Sequence, residues 1–189
     1  KTRGLVGPWI KRQYSTAVVN IGTDSDYGTG FILDNGDIIT NWHVIGGFQS
    51  VGVTLHPDIP RRNHSKEVLI GKVVNSDKMK DLAIIKVVDF PENYPSVDLG
   101  QSSDIQEGGT GHAIGGSRWT YTTGAISGVL PDYEWASNGD HKFRQNIIQT
   151  QTPINPGSSG APLFNDHGKV IGIMTWSEKK KQLMNFAVS

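Results

Sequence analysis

The stretch Gly30-Phe31-Ile32-Leu33-Asp34-Asn35-Gly36-Asp37-Ile38-Ile39-Thr40 holds two short apolar runs around an Asn-Gly turn. Asparagine and glycine tolerate the backbone of a tight hairpin turn, and β-branched residues suit a pleated, half-buried surface. The stretch therefore reads as a β-hairpin. Asn165-Asp166-His167-Gly168 repeats the turn chemistry ahead of Lys169-Val170-Ile171-Gly172-Ile173-Met174-Thr175. Working outward, Ala17–Ile21, Val51–Leu55 and Leu82–Val88 are further runs of strand length, as are Gly111–Ile114, Thr122–Val129, Asn146–Thr150 and Met184–Val188. Many short strands parted by turn residues, with almost no helical periodicity, predict an all-β sandwich or a pair of barrels. The segment from Asp89 to Gln101, with Pro91 and Pro95 and no alternation, is the expected connection between two halves.

Composition agrees with a loop-rich β protein: among 189 residues there are 23 glycines, with 36% hydrophobic and 19% charged residues. The 18 basic and 18 acidic side chains cancel. A neutral chain has no global field to draw it to nucleic acid or an anionic membrane, so recognition rests on local shape and hydrogen bonding. The sequence has no cysteine, which excludes disulfides, thiol nucleophiles and thiolate metal sites and leaves the redox compartment open. No apolar run approaches the roughly 20 residues that span a bilayer. The start, Lys1 to Pro8, lacks the apolar core of a signal peptide. The charge run Glu178-Lys179-Lys180-Lys181 lies between two strands and reads as a solvated hairpin tip.

Peptide hydrolysis by a hydroxyl needs a serine, a histidine to take its proton, a buried carboxylate to orient the histidine, and backbone N–H groups for the oxyanion. Gly157-Ser158-Ser159-Gly160-Ala161-Pro162 offers the serine. Glycine at 157 lets the chain turn sharply enough for the N–H groups of Gly157 and Ser159 to converge, leaving the Ser159 hydroxyl free. His43, in Thr40-Asn41-Trp42-His43-Val44-Ile45, is the candidate base; imidazole with a pKa near 6.5 accepts a proton at neutral pH. Asp81, in Lys80-Asp81-Leu82-Ala83-Ile84-Ile85, stands at the entrance of an apolar strand and is well placed to be drawn inward toward His43. Asp77, in a Ser-Asp turn, is the alternative.

These segments resemble the trypsin-like serine proteases, and within them the HtrA/DegP branch. Gly157 to Pro162 resembles the G-x-S-G-x-P nucleophile segment, prefaced by Gln149 to Pro156; Thr40 to Val44 resembles T-N-x-H-V; Gly28 to Ile32 resembles G-T/S-G-F-I. Asp81 to Lys86 resembles D-L-A-V-L-K, and Leu99 to Gly108, Ala113 to Gly115, Thr122 to Ser127 and Asn185 to Val188 are similar to later strands of that branch. The order His43, Asp81, Ser159 matches the chymotrypsin type. Departures are Ser158 for asparagine, Ala161 for a second glycine, Gly115-Gly116-Ser117 for G-N-P, and an unfamiliar segment from Leu130 to Phe143.

The resemblance implies a chymotrypsin/trypsin-like double six-stranded antiparallel β-barrel with its site in the inter-barrel cleft, a first barrel over about 15–95 and a second over about 100–189. The whole chain would be a single protease domain with no PDZ domain in it. It implies a serine endopeptidase acting through an acyl-enzyme on unfolded or exposed protein segments, in protein quality control outside the cytoplasm, in a bacterial periplasm or cell envelope. Catalytic roles fall on His43, Asp81 and Ser159, and the oxyanion hole on Gly157 and Ser159. Substrate is expected against Ile154, Asn155, Thr175, Trp176 and Ser177, between walls Pro153–Pro156 and Met174–Ser177. Their mostly apolar character suggests small or medium aliphatic side chains before the cut. Trp176 reads equally as core or pocket rim. A homotrimer contact through Leu5 to Tyr14, with Trp9 and Tyr14, is a further implication. No cofactor and no metal are expected: His56, His64, His141 and His167 read as loop histidines without zinc-like spacing. The alternatives are a glutamyl-type endopeptidase, and a silent or activation-dependent fold used for binding protein or metal.

Overall fold

The computed structural model describes residues 3–60, 68–136, 142–177 and 185–188. Strands β1 (Val18–Gly22), β2 (Tyr27–Ile32), β3 (Ile38–Thr40), β4 (Ser50–Thr54), β5 (Leu69–Asp77) and β6 (Leu82–Val87) form an antiparallel closed barrel in the order β1-β2-β3-β6-β5-β4. The hairpin read first is β2–β3, with Gly36 at φ +84° and the Leu33 N–H donating to the Asp37 carbonyl at 2.8 Å. Alternate residues point inward, as strand geometry requires, and Val19, Ile21, Ile32, Ile38, Val53 and Ile85 fill the barrel.

The second half holds β7 (Asp98–Leu99), β8 (Thr110–Gly115), β9 (Thr120–Ala136), β10 (Lys142–Thr150), β11 (Pro162–Phe164), β12 (Lys169–Ser177) and β13 (Asn185–Val188). Pairing runs β11-β8-β9-β10-β13-β12, and β11 also pairs with β12, so the sheet returns on itself; β7 adds a parallel edge to β12. The Asn165–Gly168 turn joins β11 to β12, with Gly168 at φ +74°. Between the halves lies a shared apolar layer in which Val18 and Phe31 meet Ile114, Phe164 and Val170. The fold is thus the expected all-β double barrel, and its two halves are welded by side chains rather than merely tethered.

Four elements depart from the sequence reading. Val6–Tyr14 is an α-helix, α1, where almost no helical periodicity is visible. Nine residues are too few for a helix to stand alone; tertiary packing decides it, through Ile10, which is fully buried, and Tyr14, which stacks on Phe164 at 4.8 Å. Strand β5 is absent from the apolar runs because its outer face exposes Ile70 and Val74, which blurs the alternation. Strands β9 and β10 run well beyond Thr122–Val129 and Asn146–Thr150, so the unfamiliar segment from Leu130 is mostly strand rather than loop. The Glu178–Lys181 run lies outside the described residues.

Candidate active site

Strands β3 and β6 pair with Thr40 opposite Ala83, so the chain leaving Thr40 and the chain entering Ala83 meet at one end of the barrel. There Trp42–Ile45 form a single helical turn, α2, closed by Gly46 at φ +56°. The first link puts His43 on α2 and Asp81 across from it. Asp81 is completely buried. Its carboxylate accepts the His43 main-chain N–H at 2.9 Å, His43 Nδ1 at 2.8 Å and the Thr175 hydroxyl at 2.9 Å. A buried charge is tolerable only with such donors. Asp81 also lies at φ 56°, a left-handed conformation that costs a non-glycine residue about 1–3 kcal/mol and persists only where its surroundings over-determine it. The Asn41 side chain completes the grip by donating to the Asp81 carbonyl at 3.1 Å. Asp77, by contrast, is exposed and caps its own turn by accepting the Lys80 N–H at 3.0 Å. Of the two carboxylates, Asp81 is the one brought to His43.

Ser159 stands on two consecutive turns. In the first, the Ser158 N–H donates to the Asn155 carbonyl at 3.0 Å with Pro156 and Gly157 between, and Gly157 has φ +83°. Proline followed by a positive-φ glycine is the signature of a type II turn. In the second, the Ala161 N–H donates to the Ser158 carbonyl at 2.9 Å and Gly160 has φ +90°. A Cβ at 157 would run into the Tyr27 ring and one at 160 into the Thr29 carbonyl, so both glycines answer to space as well as torsion. Strand β2 carries the loop: the Thr29 N–H donates to the Ser159 carbonyl at 2.8 Å and the Thr29 hydroxyl to the Gly157 carbonyl at 2.7 Å. Among the described residues, neither the Gly157 nor the Ser159 N–H has an acceptor.

The Ser159 hydroxyl donates to the Thr175 carbonyl at 3.0 Å, and no hydrogen bond joins it to His43 among the described residues. Thr175 falls at a register shift in the β12–β13 pairing, between Met174 and Trp176. Such a bulge re-aims a side chain, and here it sends the Thr175 hydroxyl to Asp81 and its carbonyl to Ser159. Thr175 is 3% exposed. Its side chain is therefore committed to the carboxylate.

The other substrate-facing expectations divide. Ile154 packs half-buried against the core of the second barrel. Asn155 is exposed, and its backbone is clipped by Ser158, whose hydroxyl donates to the Asn155 carbonyl at 2.6 Å and accepts the Asn155 N–H at 2.9 Å. Ser158 thus stiffens the turn by itself. Ala161 is buried with its methyl where a Cβ at Gly115 would go, so the two small residues fit each other. The side chains of Trp176 and Ser177 lie outside the described residues. A cavity of about 110 Å³ is bounded by Pro153, Asn155, Pro156 and Met174, but also by Arg118 and Ser158. Its wall is more polar than the apolar pocket expected from sequence.

Of the histidines, His64 and His141 lie outside the described residues. His56 packs edge-on against Trp119 at 5.0 Å, and burial pushes its pKa down against the opposing pull of Asp58. His112, which the sequence reading placed only within a strand, is buried between the Tyr121 hydroxyl and Asp166, each 2.7 Å from a ring nitrogen. It ties β8 and β9 to the β11–β12 turn. No group of three or more metal-ligating side chains occurs among the described residues.

A family model described as a trypsin-like peptidase domain matches residues 28–173. The chain belongs to that family. HhoB of Synechocystis sp. is 40% identical over 165 residues, covering 85% of this chain and 37% of the relative. The serine protease Do-like HtrA of Bacillus subtilis is 36% identical, covering 88% and 37%. A DegP-like protein of Hahella chejuensis that carries the name of a periplasmic serine endoprotease is 37% identical, covering 77% and 29%. The chain thus spans about a third of the length of these curated relatives. The crystal structure of Deg5 superposes with a TM-score of 0.77 at 28% identity, covering all of this chain and 90% of that one. This trypsin-like domain is of the HtrA/DegP kind. Residues that sequence reasoning passed over are Thr29, Asn41 and the side-chain role of Thr175. The first two stand inside motifs quoted for the resemblance, but their work depends on partners about 40 or more positions away, Asp81 and the Ser159 loop, which local pattern does not reveal.

Proposed function

We propose that this chain is the proteolytic domain of an HtrA-type serine endopeptidase, acting outside the cytoplasm on unfolded or exposed protein segments. The observation that carries the reading is the buried Asp81 carboxylate bound to His43 Nδ1 at 2.8 Å, bridged through Thr175 to the Ser159 hydroxyl. Ser159 Oγ leaves the Thr175 carbonyl, turns to His43 Nε2 and attacks the scissile carbonyl carbon while His43 takes the proton. Asp81 holds the imidazole in the tautomer with Nδ1 protonated and stabilises the imidazolium that forms. The oxyanion falls between the Gly157 and Ser159 N–H groups. His43 then gives its proton to the leaving amine, and a water activated by the same imidazole hydrolyses the acyl-enzyme. An extended substrate adds main-chain hydrogen bonds along Thr175 to Ser177, as in β-strand addition. Its side chain before the cut lies against Ile154 and Asn155.

A second reading has one observation in its favour. The Ser159 hydroxyl rests on Thr175 rather than on His43, which suits a domain that waits for substrate or an activator. Leu5, 64% exposed just before α1, and Trp9, 37% exposed on it, remain the proposed homotrimer contact. Neutral overall charge argues for protein rather than nucleic-acid substrates.

The test is turnover of casein, an unfolded protein, by the wild type beside Ser159→Ala. The wild type should cleave and the variant should lose at least about a thousandfold in rate. Equal cleavage by both overturns the assignment, and cleavage by the wild type only with an added activating peptide establishes the waiting state.

A further inference from the structure

Among the described residues, strand β9 pairs with β8 only over Thr120–Ala125, and β10 pairs with β13 only over Ile147–Thr150. Beyond those positions β9 and β10 continue as a ribbon, with Trp135 opposite Phe143, Glu134 opposite Arg144 and Ala136 opposite Lys142. A two-stranded ribbon is marginal in water on its own. Lys142 pairs across it with Glu134 at 3.0 Å, and Arg144 with Asp132. Exposed pairs of this kind add little. Yet Phe143 is 2% and Trp135 9% exposed, their rings stacked at 5.3 Å.

Leu130 of β9 packs on this cluster, and further cover comes from the first barrel. Trp42 and Leu82 pack against the cluster of Trp135, Phe143 and Ile147. Trp42 immediately precedes His43 on α2, and Leu82 immediately follows Asp81. The Arg144 N–H donates to the Met79 carbonyl at 2.8 Å, clipping the ribbon to the turn that leads into Asp81. Lys78 of the same turn places its Nζ over the Trp42 ring, 4.8 Å from the centroid. The ribbon therefore grips the chain on both sides of Asp81 and directly before His43, from a strand pair that supplies no group to the chemistry. Asp81 sits in a strained left-handed conformation that its neighbours must hold.

We propose that Trp135 and Phe143 are positioning residues for the reaction: the stacked pair sets the His43–Asp81 geometry by clamping Trp42 and Leu82. The inference rests on the proposed roles of His43, Asp81 and Ser159. Loosening the clamp moves the imidazole off the position from which it would take the Ser159 proton, while the main chain of the proposed substrate strand at Thr175–Ser177 keeps its pairing with β13, so it lowers kcat and leaves KM in place. A ribbon that only adds stability would move neither.

The experiment compares wild type, Phe143→Ala, Trp135→Ala and the conservative Phe143→Leu and Trp135→Phe. It measures kcat and KM on a short peptide, the rate of Ser159 labelling by a serine-directed phosphonate, and the downfield proton NMR signal of His43 Nδ1. In folded alanine variants, kcat and labelling should fall about tenfold to a hundredfold, the range expected for a small misplacement of catalytic groups. KM should stay constant, the His43 signal should broaden or shift, and the conservative variants should recover most of the rate. Folded alanine variants with wild-type labelling and an unchanged His43 signal overturn the proposal, as does a loss confined to KM. If the alanine variants do not fold, the conservative pair decides, through a measurable fall in kcat against wild-type rates. A wild type that the phosphonate does not label contradicts the nucleophile assignment instead, while the His43 signal still reports on the clamp.

Discussion

His43 and Asp81 come from the first barrel, where three donor groups converge on a fully buried carboxylate. Ser159 comes from the second, on a loop with few side-chain ties, whose shape follows from Gly157 and Gly160 torsions and from Thr29 holding two of its carbonyls. One part of the site is thus fixed by buried polar contacts that are costly to break. The other is fixed by backbone geometry, and among the described residues it leaves two N–H groups unpaired and the hydroxyl parked on a carbonyl. Buried charge networks are rigid because each member leaves an unpaired partner if it moves; a glycine turn can change conformation at smaller cost. On the proposed roles, any adjustment between resting and working states belongs to the loop, and His43 and Asp81 stay put.

That contrast can be broken at four points, from the largest expected effect to the smallest. Asp81→Asn keeps the shape of the carboxylate but favours the wrong imidazole tautomer, and kcat on a peptide substrate should fall about ten-thousandfold. A loss under tenfold would mean that Asp81 is not the orienting group. Gly157→Ala places a methyl against Tyr27 and strains a φ of +83°. Disturbing one oxyanion donor should lower kcat roughly a hundredfold to a thousandfold. Tyr27 is exposed and can yield, so the urea unfolding midpoint should move little; a large drop in stability with full activity would reverse the contrast.

Thr175→Val removes one donor from the buried Asp81 carboxylate and should cost roughly 1.5–3 kcal/mol of stability, the worth of a hydrogen bond to a charged group. Urea denaturation reads this, and an unchanged midpoint would show that water replaces the hydroxyl. The smallest effect is on pH dependence away from the site. The Lys86 ammonium, 2.7 Å away, holds the Asp37 carboxyl below its ordinary value of 3.8, opposed by burial and helped by Asn35. A lowered folded-state pKa contributes stability above 3.8 and loses it as the pH falls through the lower folded value. The stability gap between wild type and Lys86→Met should be present at neutral pH and vanish in acid; a gap that persists in acid would assign it to packing.

The hairpins were legible because Asn35-Gly36 and Asn165-Asp166-His167-Gly168 have local turn chemistry, and the proposed roles of His43, Asp81 and Ser159 could be read because each stands in a recognisable motif. Helix α1 was not legible, since its buried side is little more than Ile10 with Val6 and Tyr14 at its rim, a pattern too sparse to show a period. The length of β9 and β10 was hidden because residues 130–136 and 142–145 lack strand neighbours beyond each other, so their apolar residues Trp135 and Phe143 do not alternate with a sheet's regularity. The side-chain role of Thr175 was hidden because nothing in Met174-Thr175-Trp176 announces a bulge. For α1 and Thr175 the deciding contact, with Phe164 and Asp81 in turn, is distant in sequence, and local pattern carries no trace of it.

The most direct measurement is intact-protein mass spectrometry after treatment with a serine-directed phosphonate, on wild type, Ser159→Ala and His43→Ala. The account predicts one adduct on the wild type, mapping to the peptide that contains Ser159, and none on either variant over the same interval. An adduct of equal yield on Ser159→Ala would contradict it.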